Sequence, residues 1–179
     1  MLAKFSLTFA ALLVLFVSAN SQQPCKKSIA EAPAIFGLRL GMSFDEVQSA
    51  LGPAIKMKPK KNGEGGFFEN FIDAPAPSNL AGLKALFIRF YNSKVYRIEI
   101  FYDDKDQTTR LDDFTKQLAD LGLPADAWTI KHDRAEMDCG DFVIKADTFL
   151  NRHLELTDDA ASTEFDKKQQ QAKAAKKKS

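Results

Sequence analysis

Few residues in this chain could do chemistry. Its 179 residues include two histidines and two cysteines. His132, Asp133, Asp138, Cys139 and Asp141 are the one place where donor types crowd together. Their spacing matches no zinc or calcium loop, and alternation along an extended chain sends neighbours to opposite faces. The sequence therefore predicts no metal ligand set and no cofactor. His153 stands alone in a short strand pattern, His-Leu-Glu-Leu-Thr, and reads as a surface or edge residue. Asp103, Asp104 and Asp106 fall at a strand end, where a solvated turn is the ordinary arrangement. No Gly-x-Ser-x-Gly, phosphate loop or Cys-x-x-Cys occurs, and catalysis needs a nucleophile beside its base or paired acids in a cleft. The expectation is a non-enzyme. The alternative is a secreted hydrolase or metal-dependent enzyme using Asp138, Asp141 and His132.

Binding chemistry is better represented. Leu86, Ile88 and Phe90 alternate on one strand, and Tyr96, Ile98, Ile100 and Tyr102 on the next. The opposite face would then carry Phe87, Arg89, Tyr91, Val95, Arg97, Glu99 and Phe101. Aromatic residues with arginine are enriched at protein-binding surfaces, so Phe87, Arg89, Tyr91, Arg97, Glu99 and Phe101 are the candidate binding residues. The competing readings are a face covered by the N-terminal arm or a solvated sheet with Arg–Glu pairs. A two-residue turn at Asn92-Ser93 would set Ile88 against Arg97 and mix the faces. Since the buried face fixes register, the pattern predicts a three-residue or bulged hairpin that sets Phe90 against Tyr96 and Ile88 against Ile98.

The elements around this hairpin follow from short-range signals. Phe36, Leu38 and Leu40 alternate with Gly37 and Arg39, a strand pattern. Ser43 and Glu46 form a capping-box signature, Phe44, Val47 and Leu51 make an apolar stripe, and Gly52-Pro53 ends the helix. Ala54 to Met57 reads as a short strand, Lys58 to Gly66 as a loop, and Phe67 to Ile72 as a strand. Thr109 and Asp112 resemble a second N-cap, followed by a stripe of Leu111, Phe114, Leu118 and Leu121. Trp128 and Ile130, then Phe142, Ile144 and Ala146, then His153 to Thr157 read as further strands. A run of strands joined by hairpins, interrupted by two short helices, predicts an α+β fold: a mainly antiparallel sheet with both helices on one face.

Both ends look different from the middle. Lys4 precedes the apolar run Phe9 to Val17, with Ala19 and Ser21 as small residues near a cut, which is the pattern of a secretory signal peptide over 1–21. The expectation is an exported protein, periplasmic or extracellular, without a transmembrane helix in its mature form. Residues 22–35 form a polar arm, 36–158 a single domain and 159–179 a lysine-rich flexible tail. Net charge is +1, but the last sixteen residues carry six lysines against Glu164 and Asp166. The folded part is therefore mildly acidic and a poor match for nucleic acid. The tail either solubilises the chain or meets an anionic surface. Cys25 and Cys139, an even pair in an exported chain, predict a disulfide rather than two free thiols.

The stretch GMSFDEVQSALGPA, followed by LFIRFYNSKVYRIEIFYDD, resembles the small outer-membrane assembly lipoproteins of the SmpA/OmlA type and the repeats of the β-lactamase inhibitor protein. The matching positions are Gly41, Met42, Ser43, Val47, Leu51, Gly52, Phe90, Val95 and Ile98. Ser93 stands where that pattern has glycine, and Cys25 follows Gln22-Gln23-Pro24 rather than a lipidation motif. Over its whole length the chain is similar to a group of secreted bacterial proteins with no assigned activity. The resemblance implies a non-catalytic protein-binding or structural module of the envelope, whose partner is another envelope protein.

Overall fold

The computed structural model describes residues 25–57, 64–72, 76–103, 110–123, 125–149 and 152–176. Expectations placed on residues 1–24, on Asp104 and Asp106, and on Thr109 lie outside these. Seven strands of the described residues form one antiparallel sheet: β1 (Gly65–Asn70), β2 (Leu83–Tyr91), β3 (Lys94–Tyr102), β4 (Thr129–Lys131), β5 (Arg134–Asp138), β6 (Phe142–Asp147) and β7 (His153–Asp158). Their order across the sheet is β1-β2-β3-β7-β6-β5-β4. Three helices accompany it, α1 (Phe44–Leu51), α2 (Leu111–Leu118) and α3 (Asp159–Lys176). The fold is α+β, as the run of hairpin-linked strands predicts.

One face of the sheet is the core. Leu86, Ile88, Val95, Ile98, Ile100, Ile144, Leu154 and Leu156 are buried there with Phe142. Each such side chain is worth about 1.5–3 kcal/mol removed from water. α1 adds Val47 and Leu51 to this layer, and α2 adds Phe114 and Leu118. Phe44 meets Phe90, with ring centroids 5.8 Å apart, and Phe114 meets Tyr102 at 5.4 Å. Both short helices thus shelter their stripes on the same side. The capping box at α1 is formed: the Ser43 amide donates to Glu46 Oε2 at 2.6 Å, and the Glu46 amide donates to Ser43 Oγ at 3.4 Å. The Ser43 amide first, and its hydroxyl second, hold the Glu46 carboxyl below its ordinary range. Ser28 and Glu31 open a 3₁₀ turn in the arm with a variant of this motif: the Ser28 amide and hydroxyl both donate to Glu31 Oε2, and the Glu31 amide donates to the Ser28 carbonyl.

Four local expectations are corrected. Phe36 to Leu40 is not a strand. Ile35 and Leu38 exchange backbone hydrogen bonds around a tight turn, with Phe36 at φ 53° and Gly37 at φ 77°. Leu38 and Leu40 are still buried with Arg39 outside, so the alternation reported burial without a ladder. Ala54 to Met57 is also not a strand. The Gln48 side chain takes the role of a neighbouring strand, donating to the carbonyls of Gly52 and Ile55 and accepting from the Met57 amide at 2.9 Å. α2 begins at Leu111 with Arg110 at the cap position and no side-chain cap.

The fourth correction concerns the β2–β3 hairpin, which is bulged as expected but differs in its turn and in the partner of Phe90. It keeps the two-residue turn, with Asn92 at φ 48° and Ser93 at φ 61° and Tyr91 opposite Lys94. A bulge then restores the faces: Phe90 pairs with Val95, and Arg89 with Arg97. Ile88 lies opposite Ile98 as expected, but Tyr96 is the extra residue. Val95 therefore points into the core and Tyr96 to the other side. A bulge inserts one residue without a partner, which is how one strand can change face mid-course.

The disulfide Cys25–Cys139 is formed and spans 114 residues of sequence. Beside it, the Lys27 amide donates to the Cys139 carbonyl, so the arm is stapled just beyond β5. Segment 159–179, expected as a flexible tail, is helical from Asp159 to Lys176. No helix of the described residues is long and apolar enough to cross a membrane.

Candidate functional site

The outer face of the sheet, opposite α1 and α2, is built in three rows. Period-two alternation places Phe87, Arg89 and Tyr91 of β2 and Arg97, Glu99 and Phe101 of β3 there, all partly exposed. β1 adds Phe68, the cross-strand partner of Phe87, and β7 adds His153 opposite Phe101 and Glu155 opposite Glu99.

The first row is aromatic and runs across four strands. Ring centroids are 4.1 Å apart for Phe68–Phe87, 5.9 Å for Phe87–Phe101 and 4.4 Å for the stacked Phe101–His153 pair. Phe68 remains 51 % exposed. Ile72 follows β1 and Phe149 follows β6, at the end of the sheet where this row lies, and both are exposed.

The second row is charged. Arg89 Nε lies 3.4 Å from Glu99 Oε1, Arg97 Nη1 3.8 Å from the same oxygen, and Arg97 Nη2 4.0 Å from Glu155 Oε1. The third row is aromatic and covered. Phe165 of α3 packs on Tyr96 at 5.3 Å and on Tyr91 at 6.0 Å. Lys168 pairs with Glu64, and Arg97 Nη2 donates to Ser162 Oγ at 3.4 Å. Burial raises the Tyr96 phenol above its ordinary value, against the opposing pull of Arg89 and Arg97.

Between α3 and the strands an open groove of about 510 Å³ remains, lined chiefly by Phe68, Phe87, Arg89, Tyr96, Phe165 and Gln169. No family model, curated protein or solved structure matches the chain.

The expected binding residues thus share one face, but that face is divided. The described part of the arm pairs with Cys139 and Gly140 beyond β5; α3 covers Tyr91 and part of Arg97, while Phe87 and Phe101 border open solvent with Phe68. Phe68 was not legible as part of the set, because a lone strand pattern cannot say which of its two faces is buried. His153 is corrected from a solitary edge residue to a member of a central strand beside Glu155, Glu99 and Asp147.

The donor-rich stretch around Cys139 is dispersed. His132 is at the tip of the β4–β5 turn with φ 58°, whereas Asp138 ends β5 and Asp141 lies beyond it. Six extended residues span about 20 Å, so His132 cannot share an ion with either aspartate, since donors lie near 2 Å from the metal. Asp138 Oδ1 instead accepts from the Gly140 amide at 2.9 Å, holding the turn, and Cys139 is in the disulfide.

Proposed function

We propose that this protein is an exported, non-catalytic binding module that engages another envelope protein through the uncovered part of its outer sheet face. The observation that carries this reading is the row Phe68–Phe87–Phe101, flanked by Arg89 and left open while α3 covers the neighbouring tyrosines. Large apolar side chains cost free energy in water, and a contiguous exposed group of them is characteristic of an interaction surface. Rigid aromatic rings lose little entropy on binding, and arginine at their edge adds orientation. The disulfide supports an oxidising compartment, in keeping with the signal-peptide pattern of the first 21 residues.

The test is site-specific photo-crosslinking in cells. A benzophenone side chain at position 68 or 87 should yield a discrete adduct with one partner protein. The same group at position 130, exposed on β4 at the far edge of the sheet, should not. Arg89→Ala should weaken the adduct from position 68. Adducts that are absent, or identical from all three positions, would overturn the proposal.

A further inference from the structure

The second and first rows meet at a cluster with a different chemistry. Glu99, His153 and Glu155 each bring one donor atom to within 4.8 Å of the others. They come from paired strands, Glu99 directly opposite Glu155 and His153 two residues before Glu155. Two carboxylates facing each other across a ladder repel, so something must compensate them.

The arginines do so incompletely. Arg97 reaches the carboxylates only at 3.8 and 4.0 Å, beyond hydrogen-bond distance. Arg89 Nε is 3.4 Å from Glu99 Oε1, yet that oxygen is sealed from solvent with no hydrogen bond. Glu155 Oε1 accepts from Thr157 Oγ1 at 3.0 Å. The imidazole has a matching deficit. Its Nδ1 is 3.2 Å from Asp147 Oδ2, and Nε2 is buried without a partner. Placing the proton on Nδ1, toward Asp147, leaves a lone pair on Nε2. A buried acceptor oxygen and a buried lone-pair nitrogen in one cluster are both unsatisfied, and each such group calls for a reason. A single cation would satisfy both.

We propose that Glu99, His153 and Glu155 form a zinc-class divalent transition-metal site on the outer face, with Asp147 as the carboxylate behind the histidine. One imidazole and two carboxylates are a donor set for zinc, with a fourth position left for water. A carboxylate on the far ring nitrogen fixes the tautomer and raises ligand basicity, the usual support of a metal-bound histidine. Donors around a tetrahedral ion at about 2.0–2.2 Å lie roughly 3.4 Å apart, so side-chain rotation alone must close the cluster. Each of the three side chains keeps only a small opening to solvent, 16 % for His153, 14 % for Glu99 and 16 % for Glu155. This site does not rest on the binding reading of the aromatic row.

The experiment is calorimetric titration of Zn²⁺ into the chelator-stripped, disulfide-intact protein bearing no histidine tag, read together with the imidazole signals in NMR. The expected result is one equivalent bound, with the His153 ring resonances shifted and those of His132 unmoved. Glu99→Gln, which keeps shape, should abolish the saturable binding. Asp147→Asn should weaken it about 10–100-fold, and His132→Gln should leave it intact. Absence of saturable binding, perturbation of His132 alone, or full retention in Glu99→Gln would overturn the site.

Discussion

At the scale of single residues, one tyrosine, one serine and one glutamine make the sharpest tests. Tyr102 has its hydroxyl buried without a hydrogen bond, and burial pushes its pKa up to about 12, against the pull of Arg152. A phenol whose folded value lies above its unfolded value of about 10 contributes stability that is intact below pH 10 and disappears as pH rises through 12. The difference between wild type and Tyr102→Phe in denaturant midpoint should therefore be near zero or favour phenylalanine at pH 7. It should open by about 2–3 kcal/mol in favour of phenylalanine by pH 12, since each unit is worth about 1.4 kcal/mol. Ser93 is at φ 61° in the β2–β3 turn, a conformation that glycine adopts without strain, and both central positions of this turn type need positive φ. Ser93→Gly, which gives the Asn-Gly pair, should stabilise by about 0.5–1 kcal/mol in chemical unfolding. Gln48→Ala should cost about 2 kcal/mol, because three hydrogen bonds to the backbone of residues 52–57 are lost together and each is worth about 0.5–1.5 kcal/mol.

At the scale of elements, α3 is the piece whose removal should matter for the outer face and little for the core. Its apolar anchor is Phe165, held between Tyr91 and Tyr96. Phe165→Ala should speed hydrogen exchange over residues 159–168 while β2 and β3 amides keep their protection. Equal loss in the strands would mean that α3 is integral to the sheet. The same helix shows what the sequence could and could not carry. The capping box at Ser43 and the hairpin alternation at Leu86 to Tyr102 are local rules, satisfied within a few residues, and they were legible. The docking of α3 depends on one phenylalanine in a polar, lysine-rich run, and composition alone reads such a run as a tail. The bulge at Tyr96 was legible as a necessity of register but not as a position. The turn at Asn92-Ser93 and the loop that would have avoided a bulge satisfy the same buried face with different residues turned outward. The six candidate binding residues could be grouped because all come from one hairpin. The Glu99–His153–Glu155 cluster could not, because it joins strands 54 residues apart, and no periodicity links β3 to β7.

At the scale of the whole molecule, the disulfide closes a loop of 114 residues around the first five strands. In the chain-entropy account such a loop is worth about 4–5 kcal/mol. Cys139→Ser, or reduction, should lower stability by up to that amount and release the arm, read as rapid proteolysis near residues 25–33. The strand order carries a further consequence. β7, the last strand made, sits in the middle of the sheet between β3 and β6. Until the ribosome has delivered residues 153–158, the chain holds two half-sheets, each with a raw hydrogen-bonding edge that has nothing to zip to. The keystone arrives last, so the nascent chain must keep the β3 edge from finding other partners from residue 102 until residue 153, and the β6 edge from residue 147. A chain truncated just before His153 should therefore form inclusion bodies rather than a smaller soluble fold.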